Sequence, residues 1–150
     1  MQAALRERFH PWRRAADLGI SVMFMPLPDG VLGCWAPDVR TIYLSPDLDQ
    51  AERRSTLTHE LIHAVRGDEP CVSTVLEIRQ EAIVEAEAAR LLIPLVDLAA
   101  ALMWCHDESE LADELWVDEG LVRARLDGLS AADKAFLEHA LWDEQSRRPA

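Results

Sequence analysis

Apolar and polar positions follow two different rhythms along this chain. Up to about residue 45 the apolar runs are short and densely punctuated. Residues 20–25 form one run, ended by Pro26-Leu27-Pro28-Asp29-Gly30. Residues 31–35 form a second, and residues 40–44 a third that alternates after the turn Ala36-Pro37-Asp38. Short runs bounded by Pro, Gly and Asp predict strands, so this part reads as a small three-stranded antiparallel sheet. Residues 3–18, which include Pro11 and Trp12, predict a helix with a break, and Trp12 reads as a core residue.

From Ser45-Pro46 onward the period changes to that of a helix, because Ser is a good cap and Pro suits a first turn. Leu57, Leu61, Ala64 and Val65 make an apolar stripe at helical spacing, and Arg66-Gly67-Asp68-Glu69-Pro70-Cys71 supplies the terminators. Residues 77–93 read EIRQEAIVEAEAARLLI, rich in helix formers and stopped by Pro94. Ile78, Ala82, Ala89 and Leu92, with Val84, Ala88 and Leu91 beside them, are its expected buried side. Further helices are predicted over 96–105, over 108–116 with Asp107 and Glu110 spaced as a capping box, over 119–126 behind Asp118, and after Ser130.

The first helical stretch carries His59-Glu60-Leu61-Ile62-His63, a complete HExxH element. Residues four apart share one face of a helix, so the two imidazoles can converge on one metal ion with Glu60 beside it. This is the arrangement of a zinc hydrolase. Zinc lowers the pKa of a bound water from about 15.7 to about 7, and a neighbouring carboxylate takes the proton as the water attacks a carbonyl. Ordinary composition produces these five letters by chance in roughly one chain of this length in a few hundred.

A catalytic zinc takes a third protein ligand and keeps one position open. Glu77, Glu81 and Glu85 recur every fourth residue on the second helix and form one acidic stripe. Like charges at that spacing repel by a few tenths of a kcal/mol per pair, a cost that a cation removes. Glu81 is the candidate third ligand, with Glu85 one turn later as an acid able to orient a zinc-bound histidine. The order of these two can be reversed. Glu77 ranks last because it follows His63 closely and would need a tight return.

The run Arg54-Ser55-Thr56-Leu57-Thr58 followed by HELIH and Ala64 resembles the metal helix of the ImmA/IrrE-type metallopeptidases. Ala88-Ala89-Arg90-Leu91-Leu92-Ile93-Pro94 resembles the end of that family's acidic helix, which typically closes in Leu-Leu-x-Pro. Before this ending the family commonly has Glu-x-Glu-Ala-Asn/Asp-x-Phe-Ala; here Glu81 fits the first Glu and Ala88 the Ala. Ile83, Glu85 and Glu87 stand where Glu, Asn/Asp and Phe are common. The resemblance implies that His59 and His63 bind zinc, that Glu60 is the catalytic base, and that the fold is zincin-like. It also implies a protein substrate, since members are similar to proteases that cleave helix-turn-helix repressors, often encoded beside them in phages, mobile elements or stress-response loci.

Length and composition fit one metallopeptidase domain over 1–150, with 1–45 as helix plus sheet, 46–94 as the metal-site helices and 95–150 as a helical part. At 150 residues and 49% apolar content the chain can bury a core without cross-links. Cys34, Cys71 and Cys105 are scattered with no CxxC pair, which argues against both a disulfide framework and a cysteine zinc site and suggests reduced thiols in a cytoplasm. No leader or membrane span is expected. The fold class is α+β, a small sheet on a mostly helical body.

The net charge of −12 opposes a phosphate backbone. Residues 101–150 hold twelve Asp/Glu against five Lys/Arg, a surface suited to steering a basic protein such as a DNA-binding regulator. The pattern Leu111-Ala112-x-x-Leu115-x-Val117, then Leu121-Val122-x-Ala124-x-Leu126, has the look of a helix-turn-helix in which Arg123 and Arg125 would touch DNA. That rival makes the chain a DNA-binding or protein-interaction regulator with a vestigial HExxH. Asp113, Glu114, Asp118, Glu119 and Asp127 around the arginines weigh against it. A zinc hydrolase of small substrates is the third reading. In zinc peptidases an edge strand near the metal receives the substrate backbone, and Thr41-Ile42-Tyr43-Leu44 is the candidate.

Overall fold

A computed structural model describes residues 8–68 and 74–147. The chain divides into two compact units, residues 1–68 and 69–150. Each is built differently.

The first unit begins with helix α1 (Pro11–Asp17), whose N-terminus is fixed by Pro11 in the first turn and by His10, whose Nδ1 accepts from the Arg13 N–H at 3.3 Å. The predicted helix start before residue 8 lies outside the described residues. Gly19 turns the chain with φ +65°, and β1 (Ser21–Phe24), β2 (Gly33–Ala36) and β3 (Thr41–Leu44) follow. Their spatial order is β1-β3-β2. β2 and β3 form an antiparallel pair with Gly33 opposite Leu44 and Ala36 opposite Thr41. β1 runs parallel to β3, with Ser21 opposite Thr41 and Phe24 opposite Leu44.

The expected wholly antiparallel sheet is therefore mixed, and β3, the expected edge strand, is central. Burial explains both. Thr41, Ile42 and Leu44 of β3 are all buried, whereas β1 and β2 contribute no buried residue. A strand that apolar on both sides gains most by sitting between two others. β1 therefore pairs on its far side, and residues 25–40, which contain β2, form the crossover that parallel pairing requires.

Helix α2 (Gln50–Arg66) starts later than Ser45-Pro46, which forms its lead-in. Asp49 and Glu52 make a reciprocal capping box: Asp49 Oδ1 accepts from the Glu52 N–H at 2.8 Å, and Glu52 Oε2 from the Asp49 N–H at 2.9 Å. Leu57 and Leu61 enter the core with Ala15, Ile20, Ile42, Leu44 and Leu48, and Trp12, Trp35 and Ala64 pack against it. Val65, expected in the stripe, is exposed instead, because it lies a turn beyond Ile62, the last buried residue of the helix.

The second unit is helical: α3 (Thr74–Leu92), α4 (Leu95–Leu102), α5 (Glu108–Leu115), α6 (Glu119–Asp127) and α7 (Ala131–Arg147). α3 packs on α6, α5 on α6, and α4 on both α5 and α7. Val84, Ala88, Ala89, Leu92 and Ile93 are buried with Leu98, Leu111, Leu121 and Val122. Ile78, Ala82 and Leu91, expected on the buried side of α3, are exposed; among its described side chains, the buried ones begin at Val84.

Asp107 caps α5 by accepting from the Glu110 N–H at 2.8 Å, but Glu110 Oε2 accepts from His106 rather than Asp107, so the predicted box is shifted by one residue. Asp118 caps α6 through the Leu121 N–H at 2.9 Å. Ser130 and Asp133 form a box at α7. Arg125, 6% exposed, donates from Nε to the Ile93 carbonyl at 2.9 Å and faces Asp133 at 3.9 Å, tying the end of α3 to the start of α7. Burial pushes its pKa down, and the Asp133 carboxylate partly restores it. Arg123 is paired to Glu108 at 2.7 Å. Neither arginine of the helix-turn-helix pattern is thus arranged as a free base-reading side chain. No helix among the described residues is long and apolar enough to cross a membrane.

Candidate metal centre

Helix α2 brings together the two histidines that its sequence spacing pairs. The Nε2 atoms of His59 and His63 are 3.1 Å apart, and their rings meet edge to face with centroids 4.8 Å apart. Two imidazoles on a tetrahedral zinc, each about 2.0–2.1 Å from the ion, hold their nitrogens about 3.3 Å apart, so this spacing fits the group. Both rings are half-buried. The buried face of α2 formed by Leu57, Thr58, Leu61 and Ile62 anchors the helix, so ring positions are set by a rigid element rather than a loop.

Beyond the pair stands a residue that the sequence reading left unassigned. Asp68 Oδ2 lies 3.0 Å from His63 Nδ1 and accepts from Arg66 Nε at 2.9 Å. The His63 and Asp68 side chains are only 12% and 13% exposed. The local cause is the end of α2. Gly67 adopts φ +67°, its N–H bonds the Ala64 carbonyl, and the Asp68 N–H bonds the His63 carbonyl at 3.1 Å. This is a Schellman closure, which folds the second residue past the helix back over the last turn. The signal was legible: a glycine four residues after the second histidine, then an acid.

Glu60 is half-buried beside strand β2. A Cβ placed on Gly33 would lie 2.6 Å from Thr56 Cγ2, 3.1 Å from Glu60 Cγ and 3.3 Å from Leu44 Cδ2. β2 therefore runs directly against the HExxH helix, and only the missing side chain allows it. Of the three strands, the one expected to meet a substrate, β3, has partners on both sides, whereas β2 is an edge.

The acidic stripe of α3 belongs to the second unit. Glu77 and Glu81 are exposed and Glu85 is half-buried. A Cβ on Gly120 would come within 4.0 Å of Glu85 Oε1 and 3.0 Å of Asp118 Oδ1, which places the Glu85 carboxylate by the first turn of α6. A helix N-terminus attracts a carboxylate, so this position is electrostatically favourable for Glu85. Tyr43 is half-buried on β3, opposite Cys34 and Met23 in the sheet. His10 caps α1, and His139 sits 3.7 Å from Asp143 on α7. Cys34 and Cys105 are free thiols, and Cys71 lies outside the described residues.

Compared with known protein families, residues 15–127 match the IrrE N-terminal-like domain, peptidase M78. The chain belongs to that family. M78 peptidases are metallopeptidases, and the match takes in α2 with its HExxH element and α3 with its acidic stripe. No curated protein and no solved structure matches the chain.

Proposed function

We propose that this M78 peptidase is a zinc-dependent endopeptidase of the cytoplasm, that its two units work as one catalytic domain, and that its substrate is a helix-turn-helix repressor or a similar regulatory protein. The observation that carries the reading is the pair of Nε2 atoms 3.1 Å apart on α2 with Glu60 next in sequence to one of them. His59 and His63 hold the ion and Glu81 supplies the third ligand. Glu81 is favoured over Glu85 because Glu85 lies at the α6 N-terminus, and over Glu77 because of the longer return from His63. When bound, zinc supplies a Lewis acid and a water acidic enough to lose its proton near neutral pH.

The rest falls to the chain. Glu60 accepts the proton as the water attacks the scissile carbonyl and delivers it to the departing amine, the task of a general acid–base with a worth of about 10²–10⁴ in rate. The outer edge of β2 takes the extended substrate by strand addition, since it is an edge that lies against Thr56 and Glu60. The acidic C-terminal residues favour approach by a basic protein, as a DNA-binding repressor is.

The test combines metal analysis with cleavage of purified helix-turn-helix repressors. Wild type is expected to hold one zinc and cut; Glu60→Gln keeps the zinc and loses cleavage; Glu81→Ala loses affinity for the metal. Full zinc occupancy in Glu81→Ala would move the third ligand to Glu85 or Glu77. Undiminished cleavage by Glu60→Gln would end the mechanism.

A further inference from the structure

The Schellman closure of α2 does more than end a helix: it returns an acid to the second histidine. We propose that Asp68 is a positioning residue for His63, fixing both the direction of its ring and which nitrogen carries the proton; this rests on the reading of His59 and His63 as metal ligands.

A carboxylate accepts, so the 3.0 Å contact with Asp68 Oδ2 draws the hydrogen of the neutral His63 ring to Nδ1. The neutral ring then has its lone pair on Nε2, the atom that faces His59 Nε2 at 3.1 Å. A histidine that donates one N–H to a carboxylate is held in orientation and made a more basic ligand through the other nitrogen.

Three features keep Asp68 in place. Its backbone N–H is bonded to the carbonyl of His63 itself at 3.1 Å, so the acid and the ring it orients are joined twice. Arg66 Nε donates to the same Oδ2 at 2.9 Å, which holds the carboxylate in one rotamer. Gly67 at φ +67° makes the reversal possible, a conformation in which a side chain is strained. The sequence His63-Ala-Val-Arg-Gly-Asp68 is therefore a self-contained unit in which the ligand, its orienting acid, the clamp on that acid and the turn occupy six consecutive residues.

Two measurements test it on the full chain. The first needs no metal: ¹⁵N spectra of the histidine rings in metal-free protein are expected to show His63 protonated on Nδ1. Asp68→Asn retains this tautomer because its amide oxygen still accepts, and Asp68→Ala loses it. The second is zinc affinity by chelator competition, expected to fall about 10- to 100-fold in Asp68→Ala, with a smaller loss in Asp68→Asn. Gly67→Ala, which keeps every polar group, should weaken zinc in the same direction by loosening the turn. Circular dichroism establishes that each variant is folded. A folded Asp68→Ala with wild-type zinc affinity, or with His63 still protonated on Nδ1, overturns the assignment while leaving the metal site standing. Failure of the wild type to bind zinc at all overturns the metal reading, and the role of Asp68 with it.

Discussion

Gly33→Ala tests the contact that sets β2 against the HExxH helix. The added Cβ would sit 2.6 Å from Thr56 Cγ2, 3.1 Å from Glu60 Cγ and 3.3 Å from Leu44 Cδ2. Carbon atoms rest at about 3.5–4.0 Å, so the Thr56 contact alone demands a shift of about 1 Å. Little can yield. Thr56 is β-branched and mid-helix, where only two χ1 rotamers are open to it, and Leu44 is fully buried on the central strand. Overpacking of this kind costs about 1–3 kcal/mol. The loss of glycine's freedom in the unfolded chain returns about 0.4–1 kcal/mol.

The net destabilisation is then about 1–2 kcal/mol, or a fall in Tm of roughly 3–6 °C for a chain of this size. Thr56→Ser removes the atom in closest conflict, so Gly33→Ala/Thr56→Ser should regain most of the loss. The double-mutant cycle by thermal or urea unfolding should give a coupling of about 1 kcal/mol or more. Zinc-supported proteolysis should fall on the order of tenfold in Gly33→Ala and recover less than stability, because the conflict with Glu60 remains. A coupling within about 0.5 kcal/mol of zero would refute the close approach of β2 to α2 as the reason for glycine at this position.

Two further variants probe the second unit. Arg125→Met keeps the bulk but leaves the Ile93 carbonyl without its Nε donor, and is expected to cost about 2–3 kcal/mol, read as a lower urea midpoint at unchanged m value. Asp133 has its carboxyl held below the ordinary range, first by the backbone N–H of Ser130, with the Ser130 hydroxyl and Arg125 adding to it. A depressed folded pKa contributes stability above the unfolded value of about 3.9, lost as pH falls through the folded value. Asp133→Asn should therefore unfold more easily than wild type at pH 7. The two should converge in acid, and a gap that stays constant with pH would contradict the assignment.

Several helix ends are legible in the sequence because each of them carries a local device. Asp107, Asp118 and Ser130 each cap the helix predicted behind them, and Pro94 stops α3 where expected. The pairing of the strands was not legible in the same way. Whether β3 lies at an edge or in the centre depends on how Ile42 and Leu44 share the core with α2, a competition that no window of a few residues contains. The same limit explains Val65, Ile78 and Leu91, whose apolar character fits the helical period but which are exposed among the described residues.

At the candidate site, periodicity alone brought His59 and His63 together. Asp68 lies beyond what periodicity pairs: in sequence Gly67 marks only a helix ending, and the register of the Schellman closure is what turns that ending back over His63. Arg125 escaped because an arginine in a helix-turn-helix pattern invites an outward reading, whereas a buried carbonyl at Ile93 draws it inward.

The most direct measurement is anomalous scattering at the zinc edge from crystals of the zinc-loaded chain. The account predicts one peak per chain, about 2.0–2.1 Å from Nε2 of both His59 and His63 and at a similar distance from a carboxylate oxygen of Glu81. A zinc-loaded chain with no peak between those two histidines, or with its only peak at other residues, would contradict it.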